Sequence, residues 1–298
     1  MGRLAFVFSG QGDQYPGMGK DLFDRYPAAV KAFDLVDELR PGTSSQCFYG
    51  SAEELRQTAI CQPCLYAFEL AAAWTLREAG IIPDAVAGFS LGEMTAATVA
   101  GCFSPVTGFR LVCRRGALMQ EAAEQSPASM AAVLRLPADE VERLCQEFDK
   151  VYAVNFNCPG QTTVAGSADE LPAFNARVKA AGGRAVPLAV SGGFHSPFMA
   201  SASQAFARDL AQAEVHAPAL PLYSNVTAAP YAEAADTLLA RQIISPVRWE
   251  ALVSRMICDS IDTFVEIGPG QTLTHMINRI DPAVRAVPLK DYLEELPC

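Results

Sequence analysis

The chain has 298 residues, 50% hydrophobic and 19% charged, which at about 150 residues per domain allows two domains or one large α/β unit carrying an insertion. That apolar fraction excludes a disordered chain, and 21 Gly and 20 Pro exclude a collagen-like one. A formal charge of -10 excludes the basic face of a nucleic-acid binder and leaves an acidic partner only a local basic patch.

Leu4-Ala5-Phe6-Val7-Phe8 reads as a buried strand over residues 3–8, stopped by Gly10-Gln11-Gly12. The run is too short for the apolar core of a signal peptide, and Phe6 stands where an N-myristoylation signal needs Ser or Thr. Phe23, Val30, Phe33 and Val36 recur at helical spacing, and residues 63–79 form a further helix with Gly80 as its stop. Residues 85–88 are a short buried strand followed at once by a helix from Leu91. The small-apolar stretch 85–101 contains Glu93 and several threonines, so it does not span a bilayer. This alternation predicts a parallel sheet covered by helices. Nine cysteines, an odd number scattered along the chain, fit a reducing compartment, and with no membrane segment a cytoplasmic protein is expected.

The pattern changes near Ser126. Residues 130–136 read as a strand and 139–148 as a helix. Residues 151–156 and 162–165 read as strands joined by the turn Asn157-Cys158-Pro159-Gly160. Ser167-Ala168-Asp169-Glu170 caps a helix to Ala181, and 184–190 is a last strand. The order β-α-β-β-α-β is the ferredoxin-like arrangement, which closes on itself. The expected organisation is a large α/β domain from residues 1–125 and 191–298, with 126–190 inserted as a small domain.

Gly88-Phe89-Ser90-Leu91-Gly92 matches the G-x-S-x-G nucleophile elbow. A tight strand-to-helix turn needs small neighbours, and it presents the serine beside the free N–H groups of a helix start. The competing reading is a glycine turn whose serine only caps the helix. A nucleophilic serine needs a base, and the chain has 3 histidines. His195, in Gly193-Phe194-His195-Ser196, lies in a loop at the predicted domain junction and is favoured over His216 and His275. Cys61-Gln62-Pro63-Cys64 has no second ligand pair at zinc spacing, so no metal site is expected. Arg114-Arg115 lies on a predicted helix 106–122. Arg114 reads as a surface ion-pairing residue, whereas Arg115 reads either the same way or as a buried clasp for a substrate carboxylate.

Taken together, Gly10-Gln11-Gly12-Asp13-Gln14, Gln62-Pro63, Gly88-Phe89-Ser90-Leu91-Gly92-Glu93 and Arg115-Gly116-Ala117-Leu118-Met119 resemble malonyl-CoA:acyl carrier protein transacylases. Asn157-Cys158-Pro159-Gly160-Gln161, Phe194-His195-Ser196, Ser224-Asn225-Val226-Thr227 and Glu266-Ile267-Gly268-Pro269-Gly270 continue the resemblance over essentially the whole chain. It implies a hydrolase-like parallel-sheet core with a ferredoxin-like insertion. It also implies Ser90 as the acylated nucleophile, His195 as its base, and Gln11 with the Leu91 N–H as the oxyanion hole. Arg115 would hold the malonyl carboxylate, with Phe194, Met119 and Gln62 beside the substrate. In that family a backbone carbonyl, from the segment matching Ser245-Pro246-Val247-Arg248, orients the histidine. Phe89 stands where the family usually has His, and Ser245 where it usually has Asn.

The expected activity is transfer of malonyl from malonyl-CoA to the phosphopantetheine thiol of an acyl carrier protein, by a monomer with no cofactor. Rival readings are a serine hydrolase of the lipase or thioesterase kind, which shares the elbow, and a non-catalytic docking scaffold for the carrier protein. A neutral-ester pocket has no use for a buried guanidinium, whose desolvation is costly. A scaffold has no need of Ser90 and His195 together.

Overall fold

Both faces of the first strand, β1 (Arg3–Phe8), are apolar, which makes it the centre of a sheet. Phe6 and Phe8 enter one core while Ala5 and Val7 enter the other, the two-residue alternation of a pleated strand. The computed structural model describes residues 2–190, 192–232 and 235–296. Its other strands are β2 (Ala85–Gly88), β3 (Ala128–Leu134), β4 (Val151–Cys158), β5 (Gln161–Ser167), β6 (Arg184–Pro187), β7 (Leu222–Tyr223), β8 (Ile261–Ile267) and β9 (Arg285–Pro288). The large sheet has the order β7-β2-β1-β8-β9, with every pairing parallel.

The apolar pattern marks β1, β2 and, as a strand expected over residues 220–223, β7, but not β8, which pairs with the central strand, nor β9 at the edge. In β8 the run is broken by Asp262, Thr263 and Glu266. Glu266 is buried because it caps a helix: its carboxylate accepts the backbone N–H groups of Leu273 at 3.0 Å and Thr274 at 2.7 Å. β9 has only four residues and ends on a proline, which an edge strand tolerates. The helices Ala200–Ala211 and Trp249–Cys258 also go unmarked in the sequence.

Two helix boundaries differ from expectation. The helix expected from Pro63 begins at Thr58, with Pro63 inside it. The Pro105–Gln125 helix packs on its first turn, with Gly116 close to the backbone of Thr58 and Ala59. That second helix starts one residue before the expected 106, at Pro105. Ser104 caps it, accepting the Thr107 N–H at 3.1 Å.

Residues 128–187 build the second sheet, of order β4-β5-β3-β6 and antiparallel throughout. The helices Ala138–Cys145 and Leu171–Ala180 pack on it, placing Val141, Leu144, Phe174 and Val178 against Ala131, Val133 and Val164. Met130 and Ala165 fall in the core of the large sheet instead. Asn157 and Cys158 belong to β4, so the turn shrinks to Pro159-Gly160, with Gly160 at φ 72°. Ser167 does not cap the next helix directly; its hydroxyl accepts the Glu170 N–H at 3.3 Å in the turn before it. β6 stops at Pro187 rather than 190, because Leu188 and Val190 turn into the cleft described below. Ser191 lies outside the described residues, as does part of the alanine-rich stretch 227–236. Among the described residues no helix is long and apolar enough to cross a membrane.

Candidate active site

β2 ends at Gly88 and the helix Gly92–Val99 begins four residues later, so the chain reverses through Phe89, Ser90 and Leu91. Ser90 adopts φ 53°, a left-handed conformation that costs a non-glycine residue energy and aims its side chain out of the turn. A Cβ on Gly88 would run into the Gly92 backbone, and one on Gly92 into the Phe8 and Ser9 carbonyls. Both glycines of the elbow are therefore required by contact. The Ser90 N–H donates to Asn225 Oδ1 at 2.8 Å, which ties the turn to the loop after β7.

His195 is buried and also has a positive φ, 60°. Its Nδ1–H donates to the Gln242 carbonyl oxygen at 2.9 Å. A carbonyl can only accept, so in the neutral ring Nε2 is the acceptor, and it takes the Ser90 Oγ–H at 2.7 Å. The orienting carbonyl thus comes from Gln242, upstream of the segment 245–248 where it was expected; the Ser245 backbone lies close enough to reinforce it. The reason is local: Ser245 N–H itself donates to the Gln242 carbonyl at 3.3 Å, folding the two positions together. Burial, followed by the charge of Arg115, lowers the His195 pKa to about 4. The ring stays neutral, and able to accept a proton, well into the acid range.

Arg115 is fully buried, which rejects the surface reading for it, while Arg114 pairs with Asp209 at 3.1 Å on the exposed side of the same helix. Arg115 Nη1 donates to Gln62 Oε1 at 2.8 Å, and Nη2 to Gln242 Oε1 at 2.7 Å and Ser90 Oγ at 3.4 Å. Its Nε–H has no acceptor among the described residues. Burial lowers its pKa to about 10, with the charge of Glu93 opposing. It remains a cation at neutral pH, held by neutral oxygens rather than a directly bonded carboxylate. Such a group is electrostatically suited to an incoming anion.

One cleft joins the remaining expected residues. Gln11, Gln62, Phe89, Ser90, Leu91, Met119, Phe194 and His195 line it, with Met130, Asn155, Leu188 and Val190 from the segment of the smaller sheet. Among the described residues the N–H groups of Gln11 and Leu91 meet no acceptor. Gln62 Nε2 is turned to the Met119 sulfur at 3.4 Å, which leaves its oxygen for Arg115. His216 sits instead beside Glu214 at 3.4 Å on the surface, and His275 is exposed. Cys61 and Cys64 are buried, unpaired thiols on one helix.

Three polar residues of the site are absent from the sequence reading of roles. Gln242 holds both His195 and Arg115. Asn225 holds the Ser90 turn, and Asn155, which lines the cleft, has a buried Oδ1 with no hydrogen-bond partner among the described residues. A glutamine in the helical run Asp236–Gln242 carries no sequence signal. Asn225 lies within the quoted Ser224-Asn225-Val226-Thr227, where its position had been visible and its partner had not.

The family model for the acyl transferase domain matches residues 5–287. The chain belongs to the acyl transferase family. It is 37% identical to the malonyl CoA-acyl carrier protein transacylase of Bacillus subtilis, over 98% of this chain and 94% of that one. The structure is similar to the malonyl CoA-acyl carrier protein transacylase of Clostridium perfringens, with TM-score 0.94 and 30% identity over 99% and 97% of the two chains. It is similar also to a malonyl-transacylase solved in complex with its type II PKS acyl-carrier protein, with TM-score 0.93 and 34% identity over 98% and 99%. Within this acyl transferase, Phe89 packs edge-on against Trp249, with ring centroids 5.6 Å apart, so an aromatic contact occupies the position before Ser90.

Proposed function

We propose that this chain is a malonyl-CoA:acyl carrier protein S-malonyltransferase that works through a malonyl ester on Ser90. The carrying observation is that Ser90 Oγ lies 2.7 Å from His195 Nε2 and 3.4 Å from Arg115 Nη2, a nucleophile with a base on one side and a buried cation on the other. His195 takes the Ser90 proton as Oγ attacks the thioester carbonyl, and the oxyanion forms toward the Gln11 and Leu91 N–H groups. As the C–S bond breaks, His195 delivers that proton to the departing CoA sulfur. The carrier's phosphopantetheine thiol then gives its proton to His195 and attacks the ester carbonyl, and the proton returns to Ser90 Oγ. The two half-reactions share one base and one ester, which makes the kinetics ping-pong.

Arg115 pairs with the free malonyl carboxylate, selecting it over neutral acyl groups and fixing the thioester in line. Gln62 and Met119 shape the wall beside it. Asn155 Oδ1 offers an acceptor to an amide N–H, of which the pantetheine arm carries two. We read residues 126–190 as a ferredoxin-like insertion into a hydrolase-like domain of 1–125 and 191–298. That reading is supported by its strand order and by the cleft lying between the two sets of residues. A cytoplasmic monomer fits the unpaired described cysteines and a cleft assembled within one chain. The hydrolase alternative shares the elbow and the Ser90–His195 pair but leaves the buried Arg115 guanidinium without a role.

Intact-mass measurement after mixing with malonyl-CoA is expected to show one malonyl adduct, mapped to the Ser90 peptide and discharged by a holo acyl carrier protein. An adduct on another residue, or turnover with no adduct, refutes the covalent route. Phe194 lines the cleft directly before the base and is 7% exposed. Its ring is expected to crowd a methyl group on the malonyl C2. A methyl is worth about 1–3 kcal/mol in a pocket, so malonyl should be preferred over methylmalonyl tenfold to a few hundredfold. Phe194→Ser should narrow that gap in a competition read from the acyl-enzyme masses, and an unchanged ratio rejects the assignment.

A further inference from the structure

The three groups at the reacting centre sit on separate segments, and one buried carboxylate lies behind all of them. Glu93 follows the elbow directly and is 0% exposed. Its Oε1 accepts the Asn225 backbone N–H at 3.1 Å and the Tyr231 hydroxyl at 2.6 Å, and its Oε2 accepts Gln242 Nε2–H at 2.7 Å. Asn225 in turn holds the Ser90 N–H at 2.8 Å. Gln242 holds His195 through its carbonyl at 2.9 Å and Arg115 through Oε1 at 2.7 Å, and its Nε2 also donates to the Ser90 carbonyl at 2.6 Å.

An amide side chain can turn either end to its partners, and the partners decide which. An acceptor at Glu93 Oε2 keeps the Gln242 NH2 turned inward and its oxygen turned to Arg115. A donor at that place would face the NH2 donor to donor, pushing the amide off the Ser90 carbonyl and Arg115 that it bridges. Resting on the function proposed above, we propose that Glu93 is a positioning residue that, through Gln242 and Asn225, orients Arg115 and His195 at the Ser90 nucleophile.

The charge of Glu93 then matters. The titratable groups joined to it are Tyr231 from the loop after β7, Arg115 from the Pro105–Gln125 helix and, through Gln242, His195 from the loop after β6. Glu69, on the Thr58–Glu78 helix, faces Ser9 and Thr95 instead. Burial raises Tyr231 well above its ordinary range, leaves Arg115 at about 10 and holds His195 at about 4. Burial also raises Glu93 to about 7. Near neutral pH, Glu93 is therefore the member of this network that changes charge. Protonation replaces an acceptor by an O–H, so activity should fall as pH drops through that value.

The test is the pH dependence of Ser90 acylation by malonyl-CoA and by acetyl-CoA, in the whole protein, for wild type, Glu93→Gln and Tyr231→Phe. The wild type should lose malonyl acylation on the acid side with a midpoint near 7. Glu93→Gln, nearly isosteric but with a donor facing Gln242, should be slower by about 100-fold in kcat with little change in KM. Its malonyl-to-acetyl ratio should drop and its acid midpoint should move down toward that of His195. Tyr231→Phe removes a bond that favours the carboxylate, so its midpoint should move up. A folded Glu93→Gln that keeps the wild-type midpoint, or an unmoved midpoint in Tyr231→Phe, overturns the positioning role while leaving the malonyl reaction intact. If Glu93→Gln does not fold, Tyr231→Phe decides alone. Failure of the wild type to acylate Ser90 refutes the underlying function, and the positioning role with it.

Discussion

His195→Ala is expected to slow malonyl transfer by about 10⁴- to 10⁶-fold, the range seen when a serine enzyme loses its base. Among the described residues the Ser90 hydroxyl has one neutral acceptor within reach, His195 Nε2 at 2.7 Å; its other close neighbour, Arg115 Nη2, is a donor. Without the imidazole no group among the described residues is placed to receive the proton as the Oγ–C bond forms. Malonyl-CoA affinity should change little, because Arg115 is anchored by Gln62 and Gln242 independently of the ring. Quenched single-turnover acylation read by intact mass gives the rate, and calorimetry on the variant gives the affinity. Acylation retained above about a tenth of the wild-type rate would remove His195 from its role as base.

Arg115→Ala should lose malonyl transfer tenfold to a few hundredfold more than acetyl transfer. A hydrogen bond to a charged group contributes about 1.5–3 kcal/mol, and the discrimination follows from that figure alone. Acetyl-CoA serves as the internal control because it has no free carboxylate. The substitution also strips a donor from Gln62 Oε1 and from Gln242 Oε1, both buried. Some loss with acetyl-CoA is therefore expected through displacement of Gln242, and the informative quantity is the ratio. Equal losses for the two thioesters would make Arg115 a support for the fold.

These expectations rest unevenly on sequence and on tertiary structure. The elbow was legible because its determinants are local: two glycines forced by contact, a strand before and a helix after. His195 was legible by scarcity, as one of 3 histidines, and by its loop at the predicted domain junction; the structure leaves the other two on the surface. The small sheet followed from regular strand and helix periods between two clear turns, although its last strand stopped early where the chain bends into the cleft. Burial of Arg115 was only one of two open readings, because an arginine stem among leucines suits a helix surface as well as a core.

What the sequence by itself determined, then, is the set of short-range features: the strands, the turns and the glycine-flanked elbow at Ser90 are written in neighbours a few residues apart. Only the tertiary structure decided which amides hold the reacting groups. Glu93 meets Asn225 across 132 residues and Gln242 across 149. It also decided that β8 stands beside β1, where a buried Glu266 is satisfied by the N-terminus of the Thr272–Ile280 helix. Polar residues in a core are readable as such only when their partners are known, because burial without a hydrogen bond is what a sequence pattern rules out first.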